Sequence, residues 1–150
     1  MDPPGPSILL IENEEDDVFL FRHALSRVKY SGNVHVVASV TQACMYLEGY
    51  GKFADREHYP LPDLIVSDMN LAGETGTGFL EWLRQEDRFA HLPFVFLSGS
   101  FQPQDRVRSA ELGLRTDEFF VKTDDMNIMT ERVRSILKFL PPKKPGTNHA

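Results

Sequence analysis

Glu12, Asn13, Asp68, Ser98 and Lys122 are the residues of this sequence best placed to do chemistry, because each follows closely on a short apolar run. Ile8, Leu9, Leu10 and Ile11 lead to Glu12 and Asn13; Leu64, Ile65 and Val66 lead to Asp68. Phe94, Val95, Phe96 and Leu97 lead to Ser98, and Phe119, Phe120 and Val121 lead to Lys122. Runs of this kind, bounded by turn residues, read as strands buried on both faces of a parallel sheet. All strands of such a sheet end at one edge, where open α/β sheets bind their ligands. Residues distant in sequence can therefore converge there. An acidic cluster at that edge would hold a hard divalent cation such as Mg2+ through oxygen ligands, and a lysine with a hydroxyl beside it would receive an anion. These are the parts that phosphoryl transfer requires, with the carboxylate of Asp68 as nucleophile.

The intervening segments carry helical spacing. Val18, Phe21, Leu25 and Val28 recur as one face of an amphipathic helix, which Ser31, Gly32 and Asn33 close. Asp16 and Asp17 are assigned to its first turn, where negative charge complements the helix dipole, rather than to the acidic cluster. Val34, Val36 and Val37 form a second strand. Ser39 or Thr41 caps a helix in which Ala43, Cys44 and Leu47 face inward, and Gly49 and Gly51 end it. Residues 52–62 show no period and read as a long surface loop. After Asp68, Gly73, Gly76 and Gly78 give the chain backbone freedom before a helix carrying Phe79, Leu80, Trp82 and Leu83, which ends near Arg88. Pro103 opens a fourth helix with Val107, Ala110, Leu112 and Leu114 as its apolar residues. Asp124 or Asp125 caps the last, whose buried stripe is Met129, Val133, Ile136, Leu137 and Leu140.

Five strands alternating with five helices imply an α/β fold with a parallel sheet covered on both faces. The order of the strands does not follow from the alternation. A chain of 150 residues suits one domain. The expected division is a lead-in over 1–6, the domain over 7–140 and a disordered, proline-containing tail over 141–150. A net charge of −6 argues against a surface that binds nucleic acid. No apolar run approaches the roughly 18 residues needed to span a bilayer, and no signal peptide is evident, so a soluble, cytoplasmic protein is expected. The single Cys44 cannot form an internal disulfide, and the five histidines lack ligand spacing for zinc.

Over residues 7–140 the sequence resembles the receiver domain of bacterial two-component response regulators. The opening Ile-Leu-Leu-Ile-Glu-Asn-Glu-Glu-Asp-Asp-Val is especially similar to the single-domain branch associated with phytochrome-type kinases. The resemblance implies a flavodoxin-like sheet of strand order 2-1-3-4-5. It implies that Asp68 is the phosphoacceptor, Ser98 the switch hydroxyl, Lys122 the lysine that contacts the phosphoryl group and Phe119 the switch aromatic. It also places Glu12, Asn13, Asp68 and Asn70 at the Mg2+ site, Asn70 through its backbone carbonyl. The expected partners are a histidine kinase or histidine phosphotransfer protein, and a downstream protein bound through the last two helices and the fifth strand. A homodimer is another use of that face. Such a chain promotes its own phosphorylation and dephosphorylation and is not expected to be an enzyme.

Four positions depart from the family pattern. Asn13 stands where a second carboxylate is usual, so Mg2+ binding should be weakened, because a neutral amide attracts a dication less than a carboxylate does. Thr123 replaces the proline that follows the lysine, which puts the usual cis peptide in doubt. Phe119 cannot hydrogen-bond, and Ala72 replaces a common proline. Asn13 and Thr123 support a rival expectation, a phosphorylation-independent pseudo-receiver that acts as a protein interaction module. A phosphatase of the aspartyl type would carry a second Asp where Asn70 stands.

Overall fold

The computed structural model describes residues 5–71, 73–115 and 118–142. Ala72, Pro145 and the rest of the tail beyond Pro142 lie outside the described residues. Five strands form one parallel sheet: β1 (Ser7–Ile11), β2 (Asn33–Val37), β3 (Leu64–Ser67), β4 (Phe94–Ser98) and β5 (Phe119–Val121), in the order β2-β1-β3-β4-β5. This is the order 2-1-3-4-5. Five α-helices connect or follow them: α1 (Glu15–Arg27), α2 (Val40–Glu48), α3 (Gly76–Gln85), α4 (Pro103–Glu111) and α5 (Met126–Ile136).

Because side chains alternate along a strand, the sheet divides the core in two. Leu9, Ile11, Ile65, Phe94 and Phe96 face α2 and α3; Ile8, Leu10, Leu64, Val66, Val95 and Leu97 face α1 and α5. Every residue of β1, β3 and β4 is buried, as apolar runs without polar alternation require. The edge strand β5 is different, with Phe119 and Phe120 half-buried and Val121 exposed. Ser39 caps α2 by accepting from the Gln42 N–H, and Asp125 caps α5 by accepting from the Asn127 and Ile128 N–H groups.

Several elements differ from the sequence reading. Residues 52–62 are not a featureless loop. Gly51–Ala54 form a 3-10 turn that buries Phe53 against Tyr46 and Tyr59, with ring centroids 5.1 and 5.2 Å away. Arg56 donates to the carbonyls of Tyr46 and Leu47, satisfying acceptors that the end of α2 leaves open. α1 ends at Arg27, with Lys29 in the left-handed region at φ 59°, and Asn33 already belongs to β2. α3 stops at Gln85 instead of Arg88, because Phe89 and Leu92 turn back into the core and Arg84 holds the Ala90 and Leu92 carbonyls. On α4, Val107 and Ala110 face outward. The inward side is set by Ser109 and Leu112, three residues apart.

Gly76 has a role other than flexibility. A Cβ there would stand 2.6 Å from both the Asp68 carbonyl oxygen and the Phe96 ring. The start of α3 is thereby pressed against the tip of β3, and the Gly76 N–H donates to the Met69 carbonyl at 2.6 Å. Gly76→Ala is expected to lose about 1–3 kcal/mol of stability through overpacking; an unchanged urea midpoint would contradict this.

His35 on β2 lies between Tyr46 and Tyr59, with ring centroids 5.8 and 5.6 Å away. Burial lowers its pKa from 6.5, and Arg22 adds to the effect. The unfolded chain therefore takes up this proton first, so stability is lost as pH falls through about 6.5 toward the lower folded value. His35→Gln should show a shallower fall in urea midpoint between pH 7 and about pH 5.5. Equal slopes would show that His35 does not set this pH dependence.

Candidate functional site

The polar residues beyond the strands are placed by continuation of the sheet ladder. The Asp68 N–H donates to the Ile11 carbonyl at 3.0 Å, the Glu12 N–H to the Val37 carbonyl at 2.9 Å, and the Lys122 N–H to the Ser98 carbonyl at 2.8 Å. Each bond extends strand pairing one step past the apolar run. The tips of β2, β1 and β3 are thus locked side by side, as are those of β4 and β5, and the Ser98 hydroxyl joins the two groups through Asp68.

Asp68 is buried, with 7% of its surface exposed. Ser98 donates its hydroxyl to Asp68 Oδ1 at 2.6 Å, and the Asn70 N–H reaches the same oxygen at 3.3 Å. Lys122 Nζ lies 2.8 Å from Asp68 Oδ2, 2.6 Å from Glu12 Oε1 and 2.8 Å from Asp17 Oδ2. Glu12 Oε2 accepts from the Glu14 N–H at 3.1 Å. Three carboxylates therefore face one ammonium, a surplus of negative charge at the edge of a hydrophobic sheet.

That arrangement shifts two groups. Burial raises the Glu12 pKa above its ordinary 4.5, an effect that Lys122 opposes without cancelling. For Lys122, burial alone would favour the neutral form, but its bonds to Asp17, Asp68 and Glu12 outweigh burial, and its pKa is raised. The lysine stays charged at neutral pH.

The structure brings Glu12, Asp68, Ser98 and Lys122 together, and it adds Asp17. Asp17, expected only to complement the helix dipole, is a direct partner of Lys122. Side chains of a helix lean toward its N-terminus, so a first-turn residue of α1 overhangs the tips of the neighbouring strands. That lean was the available signal. Asn13 is exposed, and Asn70 is exposed at the start of a two-rung hairpin pairing Asn70–Leu71 with Glu74–Thr75. Phe119 lies away from the carboxylates, half-buried against Phe96 and Phe101, with the Arg106 guanidinium 4.8 Å from its ring centroid. No peptide is cis among the described residues, so Lys122 and Thr123 are joined in trans.

The donor set suits a hard cation. Glu12 and Asp68 each turn a carboxylate oxygen toward one shared cationic atom, and both retain free lone pairs. Among the described residues no three His, Cys, Asp or Glu side chains form a complete metal cage. Mg2+ needs none, because it retains several waters and takes few protein oxygens.

Residues 8–134 match the family model of the response regulator receiver domain. PhoB, the phosphate regulon transcriptional regulatory protein of Escherichia coli, is 28% identical over 95 residues, 63% of this chain and 41% of PhoB. The chain thus spans less than half the length of that relative. Rcp1, a response regulator of Synechocystis, is 25% identical over 136 residues, covering 91% of this chain and 89% of Rcp1. The Mn(2+)-bound form of the response regulator Rcp1 superimposes with a TM-score of 0.77 at 25% identity, over 91% of this chain and 99% of that one. The phosphorylated cyanobacterial phytochrome response regulator RcpA gives a TM-score of 0.79 at 26% identity, over 91% and 94%.

Proposed function

The chain belongs to the response regulator receiver domain family of two-component signalling, and on that premise we propose that Asp68 accepts a phosphoryl group from a histidine kinase or histidine phosphotransfer protein. The observation that carries this reading is the convergence of Ser98, Asn70 and Lys122 on the two oxygens of one buried carboxylate. An oxygen of Asp68 attacks the phosphorus of a phosphohistidine, the P–N bond breaks, and its electron pair returns to the imidazole nitrogen. The product is an acyl phosphate on Asp68. Lys122 meets the negative charge of the transferred group, and Ser98 offers its hydroxyl to a phosphoryl oxygen. Glu12, Asp68 and the Asn70 carbonyl would hold Mg2+, with Asn13 contributing at most a neutral amide. When bound, the ion neutralises charge on the phosphoryl oxygens. Metal-bound Rcp1 and phosphorylated RcpA support this reading by similarity. The chain acts on its own carboxylate and is not an enzyme with a separate substrate.

Movement of Ser98 and Lys122 toward the phosphoryl group would be read out through Phe119, which packs between Phe96, Phe101 and Arg106. The output face is α4-β5-α5, where Val107 and Val121 are exposed. A downstream protein or a second copy of the chain binds there, in the cytoplasm. No helix among the described residues is long and apolar enough to cross a membrane.

A second reading, an interaction module that works without phosphorylation, draws on the exposed Asn13 and on Lys122 already sharing three carboxylates. Phosphorus NMR with phosphoramidate, whose P–N bond mimics phosphohistidine, separates the two. An acyl-phosphate resonance that forms with Mg2+ and fails to form when EDTA is present from the start supports the receiver; its absence at saturating Mg2+ supports the module.

A further inference from the structure

The sheet has two edges, and β5 belongs to the face already described. At the other edge β2 pairs with β1 alone. The Asn33 N–H donates to the Pro6 carbonyl and the Val37 carbonyl accepts from the Glu12 N–H, so the odd-numbered residues of β2 face β1. Alternation then turns the N–H and C=O groups of Val34 and Val36 outward, as an unpaired edge. The next outward N–H, that of Ala38, is taken up by Gln42 Oε1 at 2.8 Å. Among the described residues nothing covers Val34 and Val36 in that way. Beside this edge runs a groove of about 560 Å³. Its floor is aromatic: Tyr46, Phe53 and Tyr59 meet with ring centroids 5.1, 5.2 and 6.1 Å apart. Met45 and Tyr50 also line it, and Tyr50 is 68% exposed. Lys52 is the one lysine, arginine, aspartate or glutamate among the lining residues. Its Nζ lies 5.3 and 5.9 Å from the ring centroids of Phe53 and Tyr59, and no carboxylate among the described residues pairs with it.

We infer that the β2 edge and this groove form a docking site for an extended, acidic segment of a partner protein, which adds to the five-stranded sheet as a further strand. Main-chain bonds to Val34 and Val36 supply the pairing. Side chains alternate along a strand, so residues two apart on the added segment point to one face. One apolar side chain enters the aromatic floor, and one carboxylate meets Lys52. Charge selects this occupant over a second copy of the chain, because β2 (Asn33–Val37) holds no acidic residue to offer. Residues 141–150 of the chain itself hold two lysines and no acidic side chain. The site lies across the sheet from β5, so docking there leaves the α4-β5-α5 face free and does not depend on modification of Asp68.

The test pans a phage library of random short peptides against the parent chain and titrates the recovered peptides, made as soluble fluorescent probes, by polarisation. The expected binders carry Asp or Glu two residues from an apolar side chain. Amide exchange followed by NMR should slow at Val34 and Val36 in the complex. Lys52→Glu, at an exposed position, is expected to weaken binding about tenfold, as an attraction becomes a repulsion of similar size. A lysine in place of the peptide's acidic residue should restore it, and Lys52→Gln should fall between. Recovery of no peptide that the soluble chain binds, affinity indifferent to the charge at position 52, or slowed exchange at another surface instead overturns the inference. A parent chain that is already dimeric, with the Val34 and Val36 amides protected, also overturns it by making a second copy the occupant.

Discussion

Replacing Lys122 by methionine is expected to cost about 3 kcal/mol of stability at neutral pH, the scale for removing one partner from a buried ionic cluster. The side chain is only 16% exposed, and its loss leaves Glu12, Asp17 and Asp68 facing one another without a cation. The pH dependence follows from the direction of the shifts. The pKa of Lys122 is raised in the folded chain, so its contribution is complete below the unfolded lysine value of roughly 10.4 and is lost as pH rises through the higher folded value. Parent and Lys122→Met should converge in strongly alkaline solution. They should also converge in acid: Glu12 has a raised pKa, so the folded chain takes up its proton before the unfolded chain does, and repulsion among the carboxylates is relieved. Urea unfolding at acidic, neutral and alkaline pH measures all three limbs. Equal stability of the two proteins at neutral pH would show that the cluster is not held by Lys122.

The second large effect is a gain. Asn13→Asp is expected to tighten Mg2+ binding by at least tenfold, measured by calorimetric titration. One unit charge about 4 Å from another is worth roughly 4 kcal/mol at an effective dielectric near 20, and a dication doubles that before desolvation is deducted. Asn13 is exposed beside the buried Glu12, so an aspartate there needs no rearrangement of the core. The same change should speed phosphorylation by small phosphodonors at limiting Mg2+. If Mg2+ affinity is unchanged, position 13 does not face the ion, and the neutral amide is not what limits metal binding.

Strands β1, β3 and β4 were legible in the sequence because burial on both faces leaves no polar alternation, and the residue ending each run was legible with them. The convergence of Glu12, Asp68, Ser98 and Lys122 followed from one property of parallel sheets, the shared edge of their strand ends. The order of the strands was not legible from periodicity and came from family resemblance. What escaped was set by tertiary packing. Phe53 and Tyr59 have no regular spacing, yet they enclose Tyr46 and turn residues 51–62 into a structured cover of α2. The inward side of α4 runs through Ser109, so a hydrophobic count pointed to Val107, on the wrong side. Asp17 was missed because its helix-dipole role explained it sufficiently, and only its 2.8 Å contact with Lys122 shows that one carboxylate can serve both.

Phosphorylation of Asp68 is tested by intact mass after brief incubation with acetyl phosphate and Mg2+, run beside Asp68→Asn. One phosphoryl adduct, about 80 Da, is expected on the parent and none on the variant, with the adduct lost on treatment with hydroxylamine, as an acyl phosphate requires. An adduct that persists in Asp68→Asn, or a parent that stays unmodified at saturating Mg2+, would contradict it.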